Sequence, residues 1–130
     1  MDRVAGRILL VDDEPALLKM MSLYLRRRGY GVTTADTTAT AWAEFQAAPS
    51  EFAVAVLDAT MAGLSMQDLA LRLLAARPSL RVIAASGYPW DMTVIQSAAP
   101  GRVMFLHKPF GPEKLADAVR RMIASQEENL

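Results

Sequence analysis

Four apolar runs in this 130-residue chain each finish on residues able to do chemistry. Residues 7–11 (RILLV) lead to Asp12 and Asp13, and "FAVAVL" at 52–57 leads to Asp58. "RVIAA" at 81–85 leads to Ser86, and "RVMFL" at 102–106 passes through His107 to Lys108. One such ending is ordinary loop chemistry, whereas four on a single edge describe a site. Carboxylates crowded at one pole repel one another, which is costly unless a cation sits among them. Oxygen ligands without histidine or cysteine suit Mg²⁺ or Mn²⁺. A lysine adds positive charge and a serine adds a hydroxyl. Around one aspartate this set fits a covalently held phosphoryl group, because a carboxylate can attack phosphorus and such transfers need mainly positioning and charge neutralisation.

Each feature also has a plainer reading. Asp12 and Asp13 before Pro15 are the residue types of a helix cap, Asp58 can begin a turn, and Ser86-Gly87 is a common turn pair. His107, the single histidine, reads as a surface or packing residue, and Trp42 and Trp90 read as packing. The conjunction at four strand ends favours the site.

The elements that must position these groups alternate along the chain. Short apolar runs at 7–11, 52–57, 81–85 and 102–106 suit strands buried on both faces, and 30–35 reads as a weaker, edge strand. Between them lie helical patterns. Leu17, Met21, Tyr24 and Leu25 set the inward spacing of the first, with Pro15 in its first turn and Gly29 at its stop. Residues 38–48 form the second, capped by Asp36 or Thr37. Leu69, Leu73 and Ala76 mark the third, and Ser65 with Asp68 reads as its capping box. Residues 90–99 make a short fourth helix. Residues 112–126 make the fifth, with Pro112 first and Leu115, Val119 and Met122 facing in. Five strand–helix units require a parallel sheet with helices on both faces, and in such sheets ligands bind beyond the C-terminal strand ends.

Composition bounds the partners. Apolar residues make up 52 %, enough for one packed core; acidic and basic side chains balance at 14 each. That balance argues against direct nucleic-acid binding or an anionic membrane surface. The absence of cysteine excludes a disulfide frame and thiolate metal sites. With no signal-peptide layout and no apolar run of spanning length, the expectation is a cytoplasmic domain, 1–126, with a polar tail at 127–130.

Over nearly its whole length the sequence resembles the receiver domain of two-component response regulators, through "LLVDDEP", "VLDATM", "ASGY" and "FLHKPF" in matching order and spacing. The resemblance implies a flavodoxin-like (βα)5 fold, a doubly wound five-stranded parallel sheet of order 2-1-3-4-5. It implies that Asp58 accepts a phosphoryl group from a histidine kinase or histidine phosphotransfer protein. Asp12, Asp13, Asp58 and the backbone carbonyl of Thr60 would hold Mg²⁺, and Lys108 would pair with a phosphoryl oxygen. Ser86 and Phe105 occupy the switch positions, and the Lys108-Pro109 bond stands where the family often has a cis peptide. A downstream protein or fused output domain would read the signal, and a homodimer is one form it takes. "ASGYPW" and "FLHKPF" resemble receivers of hybrid sensor kinases more than those of DNA-binding regulators.

The sequence departs from the family pattern between 61 and 66, where Ala62 replaces a proline and Met66 a glycine. A degenerate receiver, used only for protein interaction, is the alternative this departure supports. A Mg²⁺-dependent phosphatase with an aspartyl intermediate would want a second aspartate at Thr60. A flavin-binding relative would want a Ser/Thr/Gly-rich loop after the first strand.

By the resemblance, Thr60 and Tyr88 flank the path of the water that hydrolyses the aspartyl phosphate. Thr60 is too short to orient that water fully, and the Tyr88 ring excludes it if it lies over the phosphoryl group, the plainer alternative being that it points to solvent or a partner and leaves the rate unchanged. Purified Asp58-phosphorylated protein is therefore expected to lose phosphate slowly, and Tyr88→Glu and Thr60→Asn to accelerate the loss. Fast loss in the parent, or variants no faster than it, would contradict this.

Overall fold

A computed structural model describes residues 6–59, 66–87 and 91–128. Five strands alternate with five helices: β1 Arg7–Val11, α1 Pro15–Arg27, β2 Gly31–Ala35, α2 Thr38–Ala47, β3 Phe52–Asp58, α3 Met66–Ala76, β4 Arg81–Ser86, α4 Thr93–Ala98, β5 Val103–His107 and α5 Pro112–Glu128. All strand pairs are parallel, in the order β2-β1-β3-β4-β5, the expected flavodoxin-like arrangement.

Side chains alternate between the two faces of the sheet, so each face feeds its own core. Leu9, Val11, Ala55, Leu57, Val82 and Ala84 pack under α2, α3 and α4. Ile8, Leu10, Val54, Val56 and Ile83 pack under α1 and α5. β3 and β4 are buried along their whole length, which is why they read as continuous apolar runs. β2, with Thr33 and Thr34, is an edge, as its mixed sequence implies.

The register of β1 against β3 shifts between Arg7, opposite Phe52, and Ile8, opposite Val54, so Ala53 is one extra residue in β3. Gly6 accommodates that bulge: its φ is +123°, and a Cβ there would lie 2.7 Å from that of Ala53. At the end of α1, Gly29 (φ +99°) lets its own N–H reach the Arg26 carbonyl and that of Tyr30 reach Leu25, a Schellman stop. At the pole remote from the strand C-termini, Arg102 donates to the carbonyls of Leu80, Leu74 and Arg77, tying the end of α3 to the start of β4.

Several expectations are corrected. The inward stripe of α1 is Leu18, Met21, Ser22 and Leu25, while Leu17 and Tyr24 are half-buried. The apolar arc of this helix is wide enough to include exposed Met20 and Leu23, so periodicity did not select the buried part of it, and Ser22 concealed that part. In α3, Ala76 is exposed and the buried set is Met66, Leu69, Ala70, Leu73 and Leu74. The polar ends Asp58, Ser86 and His107 belong to their strands, and β5 starts at Val103. The fourth helix is only Thr93–Ala98, and α5 continues to Glu128, into the expected tail. Thr37 is the cap of α2, its hydroxyl accepting from the Thr40 N–H at 3.0 Å. Ser65 and the altered loop at 61–65 lie outside the described residues, as does Trp90. Trp42 packs as expected, stacked on Phe45 at 5.9 Å.

Candidate functional site

The sheet order makes β1 and β3 neighbours, with Val11 opposite Leu57. The next residues, Asp12 and Asp58, therefore emerge side by side at the C-terminal edge. Both are 3 % exposed, while Asp13 is exposed. One oxygen from each of the three carboxylates lies within 4.8 Å of the others.

Lys108 comes from farther away. β5 is separated from β3 by β4, roughly 10 Å at two inter-strand spacings. A short side chain could not cross that gap. The lysine Nζ reaches 3.2 Å from Asp12 Oδ2 and 3.3 Å from Asp58 Oδ2. Small residues make room on the intervening strand: Ala84, Ala85, Ser86 and then Gly87. The Lys108 N–H donates to the Ser86 carbonyl at 2.8 Å, extending the β4–β5 ladder to the lysine's own backbone. The Lys108–Pro109 peptide is cis.

Asp12 does not cap α1. The N-cap is Glu14, which makes no side-chain capping bond. Instead the Glu14 N–H donates to Asp12 Oδ1 at 3.0 Å, holding that carboxylate in a local turn and leaving Oδ2 to Lys108. Sequence reasoning missed this contact. Its signal was an aspartate two residues ahead of a non-proline residue at a helix start.

Burial pushes the Asp12 carboxyl above its ordinary range, and the Asp58 charge adds to this. The Glu14 N–H and Lys108 oppose it without cancelling it. Burial alone would lower the Lys108 ammonium, but the Asp12 and Asp58 charges outweigh it and hold the lysine above its usual value. The lysine is thus a fixed cation and Asp12 a strained anion.

Ser86 is fully buried at the end of β4, one residue past the Asp58–Ala85 pair. Phe105 lies within β5, half-buried against the core under α2, α3 and α4. The structure therefore brings together Asp12, Asp13, Asp58 and Lys108, with Ser86 on the adjoining strand end. Thr60 and Tyr88 lie outside the described residues. Exposed His107 sets its ring edge-on to Phe105.

Comparison with known proteins bears on this arrangement directly. The family model for the response regulator receiver domain matches residues 8–120. The chain belongs to the response regulator receiver domain family. This receiver domain is 32 % identical over 126 residues to the DNA-binding transcriptional regulator NtrC of Bradyrhizobium sp. (strain RP501 Parasponia), covering 97 % of this chain and 26 % of that protein. It spans about a quarter of the length of the NtrC proteins it matches. A CheY-like receiver from Methanospirillum hungatei JF-1 superposes with a TM-score of 0.82 at 26 % identity, covering 96 % of this chain and 98 % of that one. A receiver domain from Clostridium thermocellum has the same fold, with a TM-score of 0.84 at 24 % identity over 96 % of this chain and 99 % of that one. As a receiver, the chain is a phospho-accepting regulatory domain of two-component signalling. Among its described residues no helix is long and apolar enough to cross a membrane.

The raised Asp12 carboxyl has a consequence for stability. Between its unfolded value and the higher folded one, the native state holds more protons than the unfolded state, so this group's contribution falls as pH rises. In divalent-free buffer, the stability of Asp12→Asn relative to the parent is expected to increase with pH from about 4 upward and then level off. Chemical denaturation of both proteins across that range checks it. A difference independent of pH, or one of opposite slope, would refute the assignment of strain to Asp12.

Proposed function

We propose that Asp58 is the phospho-acceptor of this receiver. The observation that supports this best is the buried pairing of Asp58 and Asp12 on one lysine, at the strand end where the family's motif falls. An Asp58 carboxylate oxygen attacks the phosphorus of the donor. The bond from phosphorus to the donor's histidine nitrogen breaks, an acyl phosphate forms, and the leaving imidazole takes a proton. The donor is a histidine kinase or a histidine phosphotransfer protein.

The donor set fits a hard divalent cation: carboxylate oxygens from three residues converge, one of them exposed, with no histidine or sulfur among them. Asp12, Asp13 and Asp58 would hold Mg²⁺, joined by the Thr60 carbonyl, and the ion would neutralise phosphoryl oxygens. The chain's own groups do the rest. Lys108, already beside Asp58, pairs with a phosphoryl oxygen and so exchanges a carboxylate contact for one to the incoming group. The Glu14 N–H fixes the orientation of the Asp12 carboxylate beside Asp58.

The signal leaves through Ser86 and Phe105. A hydroxyl drawn to the phosphoryl group moves the end of β4, and Phe105 on the neighbouring strand changes orientation with it. This is a two-state shift biased by a local charge. A downstream protein or an attached output domain reads the altered surface of α4, β5 and α5.

Incubation with acetyl phosphate and Mg²⁺ is expected to add one phosphoryl mass. Asp58→Asn should abolish the addition, and chelation of the metal should reduce it by at least about tenfold. Intact-mass spectrometry reads both. Labelling of Asp58→Asn at the parent level would refute the acceptor, and a parent that never labels would favour a receiver working as a non-phosphorylated interaction module.

A further inference from the structure

His107 has no part in the phosphoryl site, yet it stands beside both residues of the proposed switch. Phe105 and His107 are alternate residues of β5 and project from the same face of the sheet. Their ring centroids lie 6.3 Å apart with planes at 84°, an edge-to-face pair. His107 is also the register partner of Ser86 on β4. Phe105 is half-buried against the core and His107 is exposed.

We propose that His107 is a positioning residue that holds Phe105 in this part-exposed orientation and so sets how readily the phosphoryl site is occupied. The inference rests on reading Asp58 as the acceptor and Ser86 with Phe105 as the switch. A phenylalanine leaves one orientation by hopping to another staggered well, not by a small tilt. Such a hop swings the ring away from the His107 imidazole and breaks the edge-to-face contact. Rotation toward the core gains burial and loses the imidazole, so the ring partner weights the outward side of the equilibrium. A phosphoryl group that draws Ser86 and Phe105 inward works against that weight, and its apparent affinity is lowered by the fraction of molecules held outward. What acts is the aromatic ring at position 107. Phenylalanine there reproduces the contact and alanine removes it.

The test uses beryllofluoride with Mg²⁺ as the phosphoryl mimic, titrated into the parent, His107→Ala and His107→Phe, each also in a Phe105→Leu background. His107→Ala is expected to tighten beryllofluoride binding roughly two- to tenfold, the range set by one aromatic pair. His107→Phe should return it to within about twofold of the parent, and in the Phe105→Leu background His107→Ala should have no effect. Unchanged or weaker binding by His107→Ala, or an equal gain without Phe105, would overturn the inference while leaving the Asp58 reading intact. A parent that binds no beryllofluoride would overturn both.

Discussion

The site depends on one ammonium group held between two buried carboxylates. Asp12 and Asp58 leave neighbouring strands at nearly the same height and are both almost wholly out of water. Two such anions side by side are unstable without a cation. Lys108 supplies it from two strands away, and that reach dictates much of the fold around it. The strand between must end in small residues, and β5 must stay in register with β4 up to the lysine itself. The parallel order β2-β1-β3-β4-β5 puts all of these ends on one edge.

The balance at this centre is deliberately incomplete in electrostatic terms. Lys108 is held firmly protonated, but Asp12 still feels its burial and its neighbour's charge. One fixed positive charge faces three carboxylates, so the edge retains a demand for further cationic charge. A metal ion can meet that demand, and a phosphoryl group can then be accepted without overloading the edge with negative charge. The two cores below the site anchor the strands that carry these ends. α2, α3 and α4 cover one face of the sheet, and α1 and α5 cover the other.

Much of this was legible in the residues. The buried strands announced themselves as apolar runs, and the chemistry at Asp12, Asp13, Asp58, Ser86 and Lys108 stood out because it recurred at strand ends. Helix faces were less legible where the apolar arc was wider than the buried one, as in α1, whose inward stripe includes Ser22 and leaves Leu17 half-buried. Contacts made by backbone groups were only faintly marked in the residue types. The Glu14 N–H that fixes Asp12 is one, and the β4–β5 link that brings Lys108 into range is another. The edge-to-face pair of His107 and Phe105 is a two-residue spacing on one strand. It was hidden because His107 read as an isolated surface residue.

Lys108→Met tests the central interaction most directly, since it keeps the stem and removes the charge. Its unfolding free energy should be measured beside the parent's at neutral pH in divalent-free buffer. If Lys108 neutralises two buried carboxylates, the variant will lose about 3 kcal/mol or more, and added Mg²⁺ will recover part of the loss. A loss below about 1 kcal/mol, the size of an ordinary exposed ion pair, would contradict it.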